Sequence, residues 1–176
     1  EAAIERAIAA LGICSDKIRY RKARRLRLIA TEACRAAANA DSFRARVAAE
    51  TGIQLEVIDR ETEATLAVIG CSPLLDPKGR GAILFDIGGG STELVRIERD
   101  PAQQDAPPRI KGWMSIPLGV VTLAEHFGGR EVTAESYTRM VQEVAQHVTP
   151  FAAVHGADLQ DMHMLGTSGT VTTLAG

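Results

Sequence analysis

The chain has 176 residues, which is enough for one ordinary domain or for parts of two. Hydrophobic residues make up 45% and charged residues 24%, as in soluble globular proteins, and the formal net charge of −2 argues against a nucleic-acid-binding protein. Three widely spaced cysteines fit neither a disulfide framework nor a zinc site, which favours a reduced cytoplasmic protein, and no signal peptide or apolar run of about 20 residues indicates a membrane protein.

The first part of the chain alternates helices with short strands. Apolar Ile4, Ile8 and Leu11 predict an opening helix that ends at Gly12. Because this pattern is already under way at residue 1, which is Glu, we expect the chain to be an internal segment of a longer protein. After a basic connector we predict a strand at 26–30, a helix at 31–38, a helix that Ser42 caps and Gly52 ends, a strand at 55–58 and a helix at 61–69.

Turn-forming residues at 76–81 predict a boundary between a first domain, 1–75, and a second domain, 76–176. Beyond it, the pattern predicts strands at 82–87 and 92–98 joined as an antiparallel hairpin, a loop at 99–108, a strand at 113–116, a helix at 119–127, a long helix that Thr133 caps, and a strand at 162–165. Because strands and helices intermix along the whole chain, the predicted class is α/β.

The hairpin turn carries the strongest functional signal. Glycines have no Cβ, so their N–H groups can surround an anion, and this turn consists of Gly88, Gly89, Gly90, Ser91 and Thr92. Asp86 and Glu93 flank it with hard oxygen ligands of the kind that Mg²⁺ takes beside a phosphate. No Lys follows the glycines, as it would in a Walker A loop, and a strand follows where a Rossmann motif has a helix. A phosphate-binding turn and an ordinary glycine hairpin are the two interpretations.

A second turn of small residues follows the last predicted strand and precedes a helix. It consists of Gly166, Thr167, Ser168, Gly169 and Thr170. Small residues at a helix N-terminus bind anions through free N–H groups and the helix dipole. This signal is weak alone, but two such turns in one chain favour a phosphate site that is closed from two sides.

Together with their flanks, the two turns resemble the exopolyphosphatase / guanosine pentaphosphate phosphatase (Ppx/GppA) family of the actin-like ATPase superfamily. The strings GGGSTE and GTSGTVTTLAG, in this order, are the most specific part of the resemblance, and shorter matches lie at 28–35, 56–58, 63–64 and 115–119. The resemblance implies a ribonuclease H-like (actin-like ATPase) fold, with parts of two similar domains and a substrate cleft between them.

The resemblance also implies roles for individual residues. Glu63 matches the catalytic glutamate that activates the attacking water, and Asp86 and Glu93 match acidic residues that hold Mg²⁺. The two turns match the phosphate-binding turns, and Arg35 matches an arginine that faces the polyphosphate. The implied activity is release of the terminal phosphate from polyphosphate, guanosine pentaphosphate or both, by a homodimer.

Several alternatives stay open. Without the resemblance, Glu63 would be a solvated helical carboxylate and Arg35 a surface charge. Thr62 stands where the family usually has Glu, and nothing matches the Asp-Ile-Gly-Ser-Asn turn with which the family opens, so we expect an incomplete active site. The runner-up function is a non-catalytic sensor of guanosine tetra- or pentaphosphate, and a kinase of the same superfamily ranks last.

A basic run lies between the opening helix and the first strand. It comprises Lys17, Arg19, Arg21, Lys22, Arg24, Arg25 and Arg27. The favoured interpretation is a charged connector beside an edge strand, where charges also deter aggregation. The alternative is a surface that steers a polyanion toward the protein.

Overall fold

The computed structural model describes residues 1–100, 106, 108–129 and 131–175. The helices are α1 (Ala2–Tyr20), α2 (Glu32–Ala36), α3 (Ala40–Thr51), α4 (Arg60–Cys71), α5 (Val120–His126), α6 (Ala134–His155) and α7 (Ser168–Ala175), with a 3-10 turn at Ser72–Leu74. The strands are β1 (Ile29–Ala30), β2 (Glu56–Val57), β3 (Gly81–Ile87), β4 (Thr92–Glu98), β5 (Arg109–Ile116) and β6 (Met162–Thr167). Among the described residues, none of the helices combines the length and the apolar character that a membrane span requires. The loop predicted at 99–108 lies largely outside the described residues.

The chain divides into two compact units, Glu1–Asp59 and Arg60–Gly176. Helix α4 belongs to the second unit because its buried Ala64 and Val68 pack into the same apolar cluster as the strands of that unit. The boundary that the sequence predicts after residue 75 stays a prediction.

The first unit is built around a small apolar core of Ile8, Val47 and Ile53, to which α1 and α3 contribute. Strands β1 and β2 pair in parallel, with Ile29 opposite Glu56. Helix α3 is followed by Gly52, whose φ of 73° is the left-handed conformation that glycine adopts readily.

The predicted helix end at Gly12 is wrong, because α1 continues to Tyr20. A glycine inside a helix weakens it without ending it, and a Cβ added at Gly12 would meet nothing within 4 Å. We expect Gly12→Ala to raise the free energy of unfolding by about 0.5–1 kcal/mol, measured by urea denaturation. Gly52→Ala is the contrasting variant and should destabilise the protein because its φ is 73°. Equal effects of the two variants would contradict this.

The second unit contains a four-stranded mixed sheet in the order β5-β4-β3-β6. Strands β3 and β4 form the antiparallel hairpin that the glycine turn predicted, and β4 also pairs antiparallel with β5. Strand β6 pairs in parallel with β3, so both strands end at the same edge of the sheet. This edge therefore carries both glycine-containing turns.

Each face of the sheet buries a different helix. One apolar cluster joins α4 to side chains of β3 and β4, among them Leu84 and Val95. The other cluster joins Leu94 and Ile116 to Phe151 of α6. Since successive side chains of a strand point to opposite faces, Val95 and Leu94 mark the two faces.

Helix α6 is fixed at both ends. Its N-cap is Thr133, as predicted, and the Thr133 hydroxyl accepts a hydrogen bond from the Ser136 N–H. At the other end, the buried Arg96 guanidinium donates to the carbonyl oxygens of His155 at 2.9 Å and Ala157 at 2.8 Å. These bonds satisfy the carbonyl of the last helical residue and a carbonyl just beyond the helix.

Candidate active site

A row of four polar residues crosses the whole sheet at one register. From β5 to β6 it consists of Ser115, Glu93, Asp86 and Thr167, each directly paired with the next. Directly paired residues of neighbouring strands project from the same face. The row therefore lies on one face, next to the ends of β3 and β6.

Glu93 is the most buried residue of this row, with 3% of its surface exposed. The Ser115 hydroxyl donates to Glu93 Oε1 at 3.0 Å. Burial raises the pKa of Glu93, hydrogen bonds from Ser91 and Ser115 act in the opposite direction, and the charges of Glu63 and Asp86 raise the pKa further. Negative charge at this position is therefore only partly compensated by the protein.

Asp86 occupies a similar environment on the neighbouring strand. Burial raises the pKa of its carboxyl, a hydrogen bond from Ser168 acts in the opposite direction, and the charge of Glu63 raises the pKa again. Asp86 and Glu93 thus form a pair of carboxylates on one sheet face, each with a pKa raised mainly by burial.

Glu63 lies in the first turn of α4. The next residue, Ala64, is 1% exposed and anchors this turn in the apolar cluster with Val95. Glu93 projects from the same sheet face as Val95, the face that α4 covers, and the charge of Glu63 contributes to raising the pKa of both Asp86 and Glu93. Glu63 therefore lies on the α4 turn that faces the paired carboxylates Asp86 and Glu93, thirty positions before Glu93 in the sequence.

The carbonyl groups of the first glycine turn are bound to the start of α5. Val120 N–H donates to Gly88 O at 3.0 Å, and Val121 N–H donates to Gly89 O at 2.9 Å. Within the part of the chain that the structure describes, no acceptor meets the N–H groups of Gly89 or Gly90. The turn therefore offers its N–H groups to an anion, while its carbonyl groups are held by the helix.

Gly119 makes the contact between α5 and the turn possible. A Cβ at this position would collide with Gly88 O and the Gly89 carbonyl group, although its φ of −124° suits any residue. We expect Gly119→Ala to lower the free energy of unfolding by about 1–3 kcal/mol in urea denaturation, because the turn or the helix must move. Gly70→Ala is the control, since its added Cβ would meet nothing within 4 Å. A Gly119 variant as stable as the control would contradict this account.

In the second turn, helix α7 follows strand β6 without an intervening loop residue. Strand β6 ends at Thr167 and α7 begins at Ser168, whose φ of 79° is unusual for a residue with a side chain. The hydroxyls of Ser168 and Thr170 donate to Ile87 O at 2.8 and 3.2 Å. The turn is thus bound to the end of β3, and its backbone strain falls on Ser168 and not on a glycine.

The side chains of the first turn are also used within the protein. The Thr92 hydroxyl donates to Leu118 O at 2.7 Å, and Ser91, which is 4% exposed, hydrogen-bonds to Glu93. Phosphate binding by these residues stays a prediction, and it would rest on N–H groups.

Arg35 belongs to the first unit. Its guanidinium donates to Ile58 O at 2.8 Å and to Glu32 at 2.9 and 3.1 Å, and its side chain is 14% exposed. These contacts give Arg35 a structural role between α2 and the end of β2. Its predicted contact with polyphosphate stays a prediction.

Sequence reasoning did not assign a role to Ser115 or to the start of α5. Ser115 lies directly opposite Glu93, and that pairing follows from the register of β4 and β5. Residues 115–119 are part of the family resemblance, but the resemblance does not show that Ser115 pairs with Glu93.

Comparison with known proteins identifies relatives. The model of the Ppx/GppA phosphatase family matches residues 1–176. A guanosine-5'-triphosphate,3'-diphosphate pyrophosphatase of Vibrio cholerae serotype O1 is 30% identical over 173 residues, which are 98% of this chain and 33% of that protein. The chain therefore spans about a third of the length of this curated relative.

Solved structures agree with this. The Aquifex aeolicus PPX-GPPA enzyme is 31% identical with a TM-score of 0.69, over 99% of this chain and 54% of that one. An exopolyphosphatase-like protein is 28% identical with a TM-score of 0.85, over the same shares of the two chains. These matches confirm the predicted fold class, the α/β fold of this family. The chain belongs to the Ppx/GppA phosphatase family.

Proposed function

We propose that the protein carrying this chain is a Mg²⁺-dependent phosphoanhydride hydrolase that releases the terminal phosphate of inorganic polyphosphate, guanosine pentaphosphate or both. The observation that carries the proposal is the carboxylate pair Asp86 and Glu93, on the sheet face that α4 and its Glu63 cover, at the edge that also bears both glycine-containing turns. Such a site combines cation ligands, phosphate-binding N–H groups and a separate base.

The carboxylate pair fits Mg²⁺. Asp86 and Glu93 supply hard oxygen ligands; burial, and to a smaller extent the nearby negative charges, raises their pKa values, and a divalent ion would favour their ionised forms. Among the described residues, no group of three or more His, Cys, Asp or Glu side chains would hold a metal ion. Mg²⁺ commonly takes only one or two carboxylates and completes its shell with water and substrate phosphate. When bound, the ion would neutralise charge on the phosphate oxygens.

The residues of the chain have distinct tasks in this proposal. Glu63 accepts a proton from the attacking water as general base. The N–H groups of Gly89, Gly90 and the start of α7 hold the terminal phosphate. Ser115 positions Glu93 through its hydrogen bond to Oε1.

The names of the relatives support this substrate class. The Vibrio cholerae relative is named for hydrolysis of a guanosine triphosphate diphosphate, and a solved relative is named exopolyphosphatase-like. Both names concern phosphoanhydrides, so the proposal retains both substrates.

The test is phosphate release by the full-length protein, with polyphosphate and guanosine pentaphosphate offered separately, each with Mg²⁺ and with EDTA. We expect release from at least one substrate that requires Mg²⁺. Binding of guanosine pentaphosphate without release at any Mg²⁺ concentration would overturn the hydrolase in favour of a sensor. A requirement for ATP and an acceptor would indicate a kinase.

The family resemblance also leads us to propose a homodimer, and the cysteine usage leads us to propose a cytoplasmic location. Both rest on the sequence alone. Light scattering of the full-length protein would measure its oligomeric state.

A further inference from the structure

The basic run forms an exposed surface with a large local charge. We call residues 17–27 the basic segment; it contains seven Lys or Arg side chains and no Asp or Glu. The whole chain has a net charge of −2, so the residues outside this segment carry a net charge of −9. This asymmetry is a property of one short segment of the first unit.

Two of the seven cations have partners in the structure. Arg19 pairs with Asp16. Arg27 forms a bidentate salt bridge with Glu56, with N–O distances of 2.7 and 2.8 Å. Within the described part of the chain, no carboxylate pairs with the other five side chains, all of which are exposed: Lys17, Arg21, Lys22, Arg24 and Arg25.

Local structure accounts for only one of the five unpaired cations. Lys17 lies in the last turn of α1, where a positive charge favours the helix dipole, but Arg21, Lys22, Arg24 and Arg25 follow the helix. Lys22 has a φ of 51°, a conformation that Gly or Asn would adopt more readily. Arg27 already supplies a charge beside β1. Neighbouring like charges repel one another, so the segment costs stability unless an anion offsets it.

The charge pattern matches a linear polyanion. A single phosphate would contact one or two of these side chains, whereas five unpaired cations within nine positions match several consecutive phosphates. We propose that the basic segment is a binding surface for the chain of inorganic polyphosphate. The choice of polyphosphate among polyanions rests on the proposed function.

The experiment measures binding of long-chain polyphosphate to the full-length protein by calorimetry at several salt concentrations, in EDTA so that the substrate is not hydrolysed. The test variant changes Arg21, Lys22, Arg24 and Arg25 to Gln. The control variant changes Arg6, Lys78, Arg109 and Arg139 to Gln, which removes the same charge from exposed positions elsewhere. Circular dichroism checks that both variants are folded.

We expect the test variant to bind polyphosphate at least 10-fold more weakly. The slope of log K against log salt should become shallower by about 3, because four contacts each contribute about 0.7 for a single-stranded polyanion. The control should change both quantities much less, and tripolyphosphate should lose less affinity than the long chain. Equal losses in the two variants, or no loss in the test variant, would overturn the proposal.

A variant of Tyr20 distinguishes polyphosphate binding from binding of single-stranded nucleic acid. This side chain is 84% exposed within the basic segment, and an aromatic ring is where a base would stack. Polyphosphate has no bases, so Tyr20→Ala should leave its affinity unchanged. If single-stranded RNA bound more tightly than polyphosphate and lost affinity in Tyr20→Ala, the proposal would be overturned. Because these measurements record binding, they do not depend on hydrolysis and distinguish a failure here from a failure of the proposed enzyme.

Discussion

Glu63→Gln is expected to lower the rate of phosphate release by the full-length protein by about 10²- to 10⁴-fold, the range that a general base contributes. Gln keeps the shape of the side chain but cannot accept the proton of water. The α4 turn is anchored by buried Ala64, so the substitution leaves the position of the side chain in place. The loss should appear in kcat, with little change in the binding of substrate.

Glu61→Gln is the matched control. Glu61 lies in the same first turn of α4 but is exposed, and it is not among the groups that raise the pKa of Asp86 or Glu93. We expect it to keep nearly the full rate. A Glu63 variant with undiminished kcat, or a control with an equal loss, would remove Glu63 from the proposed mechanism.

The hairpin was predictable from local sequence. Strands β3 and β4 are adjacent in the chain, and three glycines between two β-rich segments specify a tight connection. Pairing of neighbours also brings Asp86 opposite Glu93 without any information from distant residues. The core of the candidate site therefore follows from one short stretch of sequence.

The rest of the polar row depends on long-range pairing. Strand β6 pairs with β3 although α5 and α6 intervene, and the register that places Thr167 beside Asp86 follows from the packing of both faces of the sheet. Similarly, the carbonyl groups of Gly88 and Gly89 meet the start of α5 only in the folded unit. Local sequence patterns predict neither the pairing of β6 with β3 nor the contact of the turn with α5.

Two backbone conformations, at Gly12 and at Ser168, could not be predicted from the sequence either. Gly12 suggested a helix end, yet packing of α1 in the first unit outweighs its weak helix propensity. The left-handed conformation in the second turn falls on Ser168 although Gly166 and Gly169 are nearby. A hydrogen bond from Ser168 to Ile87 O helps to hold that conformation. Strain of this kind is a property of the folded site and of its surroundings.

Glu93→Gln is expected to have opposite effects on stability and activity. In the absence of Mg²⁺, the ionised Glu93 is buried beside Asp86 and Glu63, and its pKa is raised. A carboxyl whose pKa is higher in the folded than in the unfolded state destabilises the protein once it ionises. The neutral Gln should therefore raise Tm in EDTA by a few degrees. It should also lower phosphate release by more than about 100-fold, since it removes a proposed Mg²⁺ ligand.

The sign of the pH dependence makes this prediction specific. Below the unfolded-state pKa of Glu93, the carboxyl is protonated in both states and contributes no penalty. As pH rises from that value through the raised folded-state pKa, the wild type loses stability relative to Glu93→Gln, and above it the difference stays constant. Thermal unfolding in EDTA across this pH range should show the two curves separating toward neutral pH.

Mg²⁺ provides the second half of the test, with Glu125→Gln as a control because Glu125 is exposed. An ion that binds only the folded state raises its Tm, so Mg²⁺ should stabilise the wild type and the control. Glu93→Gln should lose most of that increase. If Glu93→Gln were less stable than the wild type in EDTA at neutral pH, the hydrogen bonds from Ser91 and Ser115 would outweigh the burial of charge, and Glu93 would be a structural residue. If the variant instead kept the full response to Mg²⁺, the ion would be bound elsewhere.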